Sequence, residues 1–290
     1  MRIVPVALAV AIGPVLAGRV PETGFLALAV VAGLPHGAFD HQVGRRAFAP
    51  DHGARWWQPF LAGYLALAVA MLLAWWAFPV LALSIFLLLS ILHFGDQDAS
   101  TQASHRIVPI VAHGGIPIIV SAACHPDAIE RLLAVLVPGH ASTVTMLLGG
   151  PLTLLWIAAV GVTLIACAAR GQTDDWAAAA DLILVTLLFA VTPPLIGFSL
   201  YFAGIHAPRA LSAAMPADGL RARELAAPLV LTILALGLGI LIFVTAAGAR
   251  IGDDVVHSAF LLLSALTVPH MWLERRARLA AGRTPFAPNI

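Results

Sequence analysis

Long apolar runs fill most of this chain, and short polar stretches separate them. A helix that crosses a membrane needs about 20 mostly apolar residues, and the runs reach or approach that length. Proline lies at several junctions, such as Pro79 and Pro193–Pro194, where it ends one helix and begins the next. The pattern predicts an all-α, polytopic membrane bundle of about ten transmembrane helices, over residues 3–18, 23–39, 57–77, 79–94, 107–123, 151–169, 177–192, 194–208, 226–247 and 255–273. The stretch 125–150, which Pro138 and Gly139 interrupt, is predicted to be re-entrant or interfacial.

Composition agrees with a membrane protein. The chain is 60% hydrophobic and 11% charged, with a mean hydropathy of +0.94, whereas soluble domains carry about 25% charged residues. A net charge of +1 argues against nucleic acid as a partner. The cysteines, Cys124 and Cys167, are too few and too far apart for a disulfide framework or a thiolate metal site. No repeat or linker divides the sequence, so we expect a single integral membrane domain over residues 1–290.

Arginine clusters indicate the orientation of the bundle. They lie in the loop 45–55, in the loop 209–223 and in the tail 275–283. Cytoplasmic loops of membrane proteins are enriched in basic residues. Ten spans place all three clusters and both termini in the cytoplasm, whereas counting 125–150 as a further span would move the first cluster outside. We therefore predict a multi-pass protein with both termini cytoplasmic.

Histidines recur near the ends of the predicted helices, each close to glycine, proline or an acid: His36, His93, His113, His206 and His270. In the predicted topology all of them fall in one layer at the cytoplasmic side. Polar groups inside a span are costly unless they are paired, so they are candidates for function. A lone intramembrane histidine more often hydrogen-bonds a neighbouring helix, and this alternative stays open for His113 and His270. For the set, we predict a bound metal ion.

The neighbouring residues fit such a site. Asp40 follows His36 by four positions and Asp96 follows His93 by three, so each acid could accept the second ring N–H of a ligating histidine. Imidazoles without thiolates suit iron, zinc, copper or nickel, and open coordination positions favour iron(II) that engages dioxygen. The aromatic residues Phe94, Tyr201 and Phe202 adjoin the candidate ligands and could line an apolar slot.

Other function classes remain open on these residues alone. One is a different histidine–metal membrane oxidase or hydroxylase, although such enzymes usually carry several histidines on one segment. Another is a b-type cytochrome, which needs histidines that face each other across a bundle. A third is a proton-coupled transporter, in which intramembrane histidines and acids relay protons.

The ordered set of motifs resembles the Brp/Blh family of bacterial and archaeal membrane β-carotene dioxygenases, which supply retinal to microbial rhodopsins. The resemblance covers about residues 30–273 and is carried by Pro35-His36-Gly37-Ala38-Phe39-Asp40-His41, His93-Phe94-Gly95-Asp96, His113-Gly114, Tyr201-Phe202 with His206 and Arg209, and Pro269-His270-Met271.

The resemblance implies an iron(II) enzyme of the bacterial inner membrane that splits the central double bond of β-carotene, or of a similar carotenoid, with O2 to give retinal. Membrane lipid and a rhodopsin that accepts retinal are the implied partners. Carried over, His36, His93 and His206 become iron ligands. The family usually has a further histidine one turn after His206, where this chain has Ala210.

His270 is the candidate for the vacant ligand position, with His113 behind it. His113 and Tyr201 are the candidate catalytic residues beside the metal. Phe94 and Phe202 are the candidate substrate-binding residues, and Asp40 and Asp96 the candidate supports of the ligands.

Overall fold

The computed structural model describes residues 3–99, 107–214, 226–246, 248 and 250–281, and within them it is helical without strands. This confirms the all-α prediction. The α-helices are α1 (Ile3–Leu16), α2 (Glu22–Gly37), α3 (Asp40–His52), α4 (Trp57–Ala77), α5 (Pro79–Asp98), α6 (Ile107–Gly114), α7 (Ser121–Cys124), α8 (Pro126–Leu136), α9 (Ala141–Gly149), α10 (Pro151–Arg170), α11 (Thr173–Val191), α12 (Pro194–Tyr201), α13 (Ala207–Ala214), α14 (Ala226–Ala246) and α15 (Ile251–Ala281).

Proline and glycine set many of the helix boundaries. Pro79, Pro126, Pro151 and Pro194 each occupy the first position of a helix, where the missing N–H costs nothing and the fixed φ suits the helical turn. Gly171 ends α10 with φ of 64°, in the left-handed conformation that glycine adopts most easily. The predicted junction at Pro79 is therefore confirmed.

Seven helical segments of the described residues are long and apolar enough to cross a membrane: Glu22–Arg55, Trp57–Ala77, Pro79–Asp98, Ile107–Cys124, Ala141–Arg170, Ala226–Thr245 and Ile251–Ala280. Ten spans are thus not confirmed.

Three of the predicted spans account for the difference. The helix α1 has 14 residues, and α11 carries Asp174, Asp175 and Asp181 among its 19. The predicted span 194–208 forms α12, a π-helical turn and the start of α13, and it is not among the seven segments. The stretch 125–150, predicted as re-entrant or interfacial, forms α8 and α9, and α9 belongs with α10 to one apolar segment of 30 residues.

The helices α5 and α6 approach until their backbones touch. A Cβ atom at Gly95 would lie 2.0 Å from the carbonyl oxygen of Ile110, and one at Gly114 would lie 1.8 Å from that of Ile91. Only glycine fits at these two positions, as is common where membrane helices cross closely. The contact fixes the part of α5 that carries His93.

The helix α15 contacts helices from both halves of the chain. It packs against α2, α3, α4, α5 and α14. A π-helical turn, Phe202–His206, joins α12 to α13 and packs against α2. Because a π-turn holds one more residue than an α-turn, it changes the direction of the side chains that follow, and such turns are frequent at functional sites.

Candidate functional site

Three buried histidines from distant parts of the chain meet at one place. The ring centroids of His93 on α5 and His270 on α15 are 5.1 Å apart, and those of His93 and His206 in the π-turn are 5.2 Å apart. We call these residues the histidine cluster. The structure therefore brings together three of the four predicted metal ligands. The fourth, His36, belongs to α2, and its side chain lies outside the described part of the structure.

Asp40 fixes the orientation of one ring of the cluster. Nδ1 of His270 donates to Oδ1 of Asp40 at 2.6 Å, and the hydroxyl of Tyr64 on α4 donates to Oδ2 of the same carboxylate at 3.0 Å. A histidine that gives its Nδ1–H to a carboxylate presents the lone pair of Nε2 to a metal. The sequence predicted this supporting role for Asp40, but towards His36, which is on the preceding helix. The contact with His270 depends on how α3 packs against α15.

Glu274 is a neighbour of the cluster that the sequence analysis missed. Its Oε1 lies 3.6 Å from Nε2 of His270, one turn earlier on α15. Ligand atoms of His93, His270 and Glu274 all lie within 4.8 Å of one another. The four-residue step between His270 and Glu274 was the available signal, since it places both side chains on one helix face. These donors suit a divalent transition metal.

The contacts of His113 differ from those of the histidine cluster. It is buried on α6, and its Nδ1 hydrogen-bonds the carbonyl oxygen of Pro109 in the same helix at 2.9 Å. Within the described ranges its ring has no ring contact with His93, His206 or His270. Its Nε2 is buried and has no hydrogen-bond partner among the described residues, so the role of His113 stays a prediction.

Asp96 contacts a different group from the one expected. Its Oδ2 accepts a hydrogen bond from Arg278, so the carboxylate links α5 to the last turns of α15. This bond ties together the two helices that carry His93 and His270. The role of Asp96 as a support of the metal ligands stays a prediction.

The predicted aromatic residues surround His206. The ring centroid of Phe94 is 4.7 Å from that of His206, that of Tyr201 is 5.8 Å away, and that of Phe202 is 6.1 Å away. The hydroxyl of Tyr201 donates to Oδ2 of Asp98 at 2.5 Å. Tyr201 therefore contributes its ring to the cluster while its hydroxyl is engaged elsewhere.

A buried charge network lies behind Tyr201. Arg209 on α13 contacts Oδ1 of Asp98 at 3.2 Å and Oδ1 of Asp181 on α11 at 2.7 Å. Asp98 and Asp181 are 6% and 2% exposed. The sequence analysis named Arg209 as part of a motif and missed both acids, although an aspartate inside an apolar run is itself a signal. The network joins α5, α11 and α13 around the segment that carries His206.

An apolar cavity of about 630 Å³ reaches the histidine cluster. His93 and His270 form part of its wall, together with Asp40 and the predicted substrate-binding residues Phe94 and Phe202. Most of the remaining wall consists of leucine, isoleucine and phenylalanine side chains. Cavities of about 300–1,000 Å³ with few polar groups are typical of small-molecule sites.

The same cavity extends to the outer surface of two helices. Its wall includes Leu65 of α4 and Leu234 of α14, which are 59% and 62% exposed. Both belong to segments that are apolar enough to face lipid. The cavity wall thus includes exposed side chains of two helices that are long and apolar enough to cross a membrane.

Comparison with known proteins agrees with these observations. A sequence model of the family described as "Beta-carotene 15,15'-dioxygenase" matches residues 27–276. The chain is 30% identical over 255 residues to "Beta-carotene 15,15'-dioxygenase" of an uncultured marine bacterium (66A03), covering 86% of this chain and 90% of the relative. It is 27% identical over 288 residues to "Probable beta-carotene 15,15'-dioxygenase Blh" of Halobacterium salinarum, covering 86% of this chain and 83% of that protein. No solved structure matches.

The matched region contains all the residues of the histidine cluster and of the cavity wall. Its length and the identity to the relatives confirm the resemblance seen in the sequence motifs. The chain belongs to the beta-carotene 15,15′-dioxygenase family.

Proposed function

We propose that this protein cleaves β-carotene, or a closely related carotenoid, at its central double bond with O2 and releases retinal, using iron(II) as its cofactor. The observation that carries the proposal is the contact between an apolar cavity and a buried histidine cluster in a chain of this family. In the reaction, each carbon of the broken double bond takes one oxygen atom of O2. No external reductant is therefore needed.

The donor set fits iron(II). Imidazole and carboxylate ligands suit divalent iron, and the cluster supplies them in a buried place. His93, His206 and His270 would hold the ion, and His36 is proposed with them from its motif. Bound iron(II) would supply the activation of O2 for an oxidative cleavage.

The residues around the cluster would orient the substrate and keep water out. The cavity wall is mostly apolar, and its few polar side chains include those of His93, His270 and Asp40. A polyene without polar groups therefore gains most by lying along the apolar wall, with one double bond next to the cluster. Phe94 and Phe202 are proposed to contact the polyene there, because both line the cavity and pack against His206.

No residue of the site is required to transfer a proton in this reaction, because the substrate gains only oxygen. The hydroxyl of Tyr201 is held by Asp98, which is consistent with a role for its ring in packing against His206. Asp40 and Tyr64 would hold His270 in the tautomer that binds metal.

We propose that the chain is one multi-pass domain of a bacterial inner membrane, with both termini in the cytoplasm and the histidine cluster near that side. This orientation requires an even number of crossings, so it needs a further crossing helix beside the seven segments, such as the apolar helix α1. Membrane lipid would deliver the carotenoid, and a microbial rhodopsin is a suitable acceptor for retinal. The exposed side chains of Leu65 and Leu234 in the cavity wall support delivery from lipid.

The proposal is tested by expressing the chain in bacteria engineered to accumulate β-carotene and separating the extracted lipids by chromatography. We expect retinal to appear as β-carotene is lost. His93→Ala should abolish this product, whereas the matched variant of an exposed histidine, His140→Ala, should keep it.

Other products would point to other functions. A hydroxylated carotenoid of full length would indicate a hydroxylase, and a haem absorption band in the purified protein would indicate a b-type cytochrome. Unchanged β-carotene beside folded protein that holds no metal would overturn the proposal and favour a transporter.

A further inference from the structure

The carboxylate of Glu274 points towards the ring of His270 from one helical turn away. The distance from its Oε1 to Nε2 of His270 is 3.6 Å. One ligand atom of Glu274, one of His270 and one of His93 lie within 4.8 Å of one another. The other ring nitrogen of His270 is engaged with Asp40. Nε2 of His270 therefore faces Glu274. In the tautomer that Asp40 fixes, this nitrogen carries the lone pair that can bind a metal.

The separation suits two ligands of one ion better than a direct hydrogen bond. An N···O distance of 3.6 Å is beyond the usual hydrogen-bond limit of about 3.2 Å. Two atoms that each lie about 2.1 Å from an ion are about 3.0 Å apart at a right angle and about 3.4 Å apart at the tetrahedral angle. A small shift of either side chain is enough to reach that geometry.

Charge balance gives a second reason for a carboxylate ligand. Neutral imidazoles leave the charge of a divalent ion uncompensated in a buried, low-dielectric site. Asp40 is placed to accept hydrogen bonds from His270 and Tyr64. A carboxylate oxygen of Glu274 lies within 4.8 Å of a ring nitrogen of His93 and of one of His270.

We propose that Glu274 is a metal ligand and that this chain binds its ion through histidines and one carboxylate. The inference rests on the proposed function only in requiring a bound divalent metal, and it does not depend on which carotenoid is cleaved. A competing explanation is a plain ion pair between Glu274 and a protonated His270 on one helix face. The two explanations differ in what happens to metal affinity.

The test uses the full-length protein in detergent, stripped of metal with a chelator and titrated with Co(II), whose visible absorption reports its ligands. Glu274→Gln keeps the shape of the side chain and removes its charge. We expect it to lower Co(II) affinity at least about tenfold and to change the absorption spectrum. The matched control is Glu130→Gln, an exposed glutamate on α8, which should behave as the unaltered protein does.

Thermal unfolding of the metal-free variants separates the outcomes. An ion pair without a metal role predicts that Glu274→Gln lowers the melting temperature of the metal-free protein and leaves Co(II) affinity and spectrum unchanged. That result would overturn the inference. Retinal formation is measured on the same variants so that the proposed function is tested separately. If the unaltered protein makes retinal and Glu274→Gln binds Co(II) normally, only the role of Glu274 is disproved.

Discussion

His270 and Asp40 form a buried contact of 2.6 Å between residues that are 230 positions apart in the sequence. Tyr64 donates to the second oxygen of the same carboxylate. The three residues belong to α15, α3 and α4, which pack against each other at the end of the bundle where the cavity meets the histidine cluster. The packing of these three helices therefore sets the orientation of the imidazole ring of His270.

Asp40→Ala should therefore weaken metal binding, because it leaves the ring of His270 without the group that sets its tautomer. Loss of such a supporting carboxylate typically costs about 10- to 100-fold in metal affinity. Tyr64→Phe, which removes one hydroxyl, should produce a smaller loss. The measurement is metal content by mass spectrometry after dialysis against a graded series of chelator concentrations.

The control for this series is Asp51→Ala, since Asp51 is 58% exposed and forms only a long ion pair with Arg276 at 3.7 Å. If Asp40→Ala retains metal at every chelator concentration at which the unaltered protein does, then Asp40 has no supporting role.

The histidines should separate into two groups when each is replaced by alanine. We expect His93→Ala and His206→Ala to lose the metal, because their rings meet in the cluster. We expect His113→Ala to keep it and to lose stability instead, since its ring is bonded to the carbonyl oxygen of Pro109 within α6. Metal content and thermal unfolding of the same preparations distinguish these results. Loss of metal in His113→Ala at an unchanged melting temperature would instead identify His113 as a ligand.

Gly37 should control the size of the substrate that reaches the cluster. It lies in the cavity wall at the end of α2, and a Cβ atom there would meet nothing within 4 Å. Gly37→Leu should fill this space and reduce carotenoid cleavage strongly, while the metal content stays normal. The product assay and the metal assay are made on one preparation.

Gly24→Leu is the matched control for Gly37, because Gly24 is an exposed glycine of the same helix away from the cavity wall. It should cleave normally. Gly33 is unsuitable as a control, since a Cβ atom there would lie 2.1 Å from Cε1 of Phe202. Normal cleavage by Gly37→Leu would show that the substrate does not pass this position.

Asp181→Ala should destabilise the whole bundle. It removes the closest acidic partner of Arg209 in a buried network, and breaking such a pair leaves a charge that the protein compensates only in part. The expected loss is about 3 kcal/mol in the free energy of unfolding, seen as a lower melting temperature in detergent. Asp174→Ala, an exposed acid of the same helix, should have little effect. Equal melting temperatures for the two variants would contradict a stabilising role of the network.

The motifs of the sequence indicated the family and the candidate residues of the site, because each motif is local. A histidine near the end of an apolar run is informative without knowledge of the fold, since a polar group is costly in lipid unless it is paired. The all-α architecture followed from the same apolar runs, and family membership followed from the order of the motifs. The number of spans was harder to predict, because α11 carries three acids among its residues and α1 is only 14 residues long.

Only the tertiary structure decided which residues meet. Sequence spacing can pair Asp40 with His36 four positions earlier, but the packing of α3 against α15 places Asp40 against His270. The same holds for Asp96, which bonds Arg278 across two helices, and for Asp98 and Asp181, which Arg209 joins from a third. Composition and periodicity indicate which polar groups lie within apolar runs, because the free-energy cost of placing a polar group in lipid depends on each residue separately. They do not report partners, because a partner is chosen by the packing of helices that are far apart in the chain.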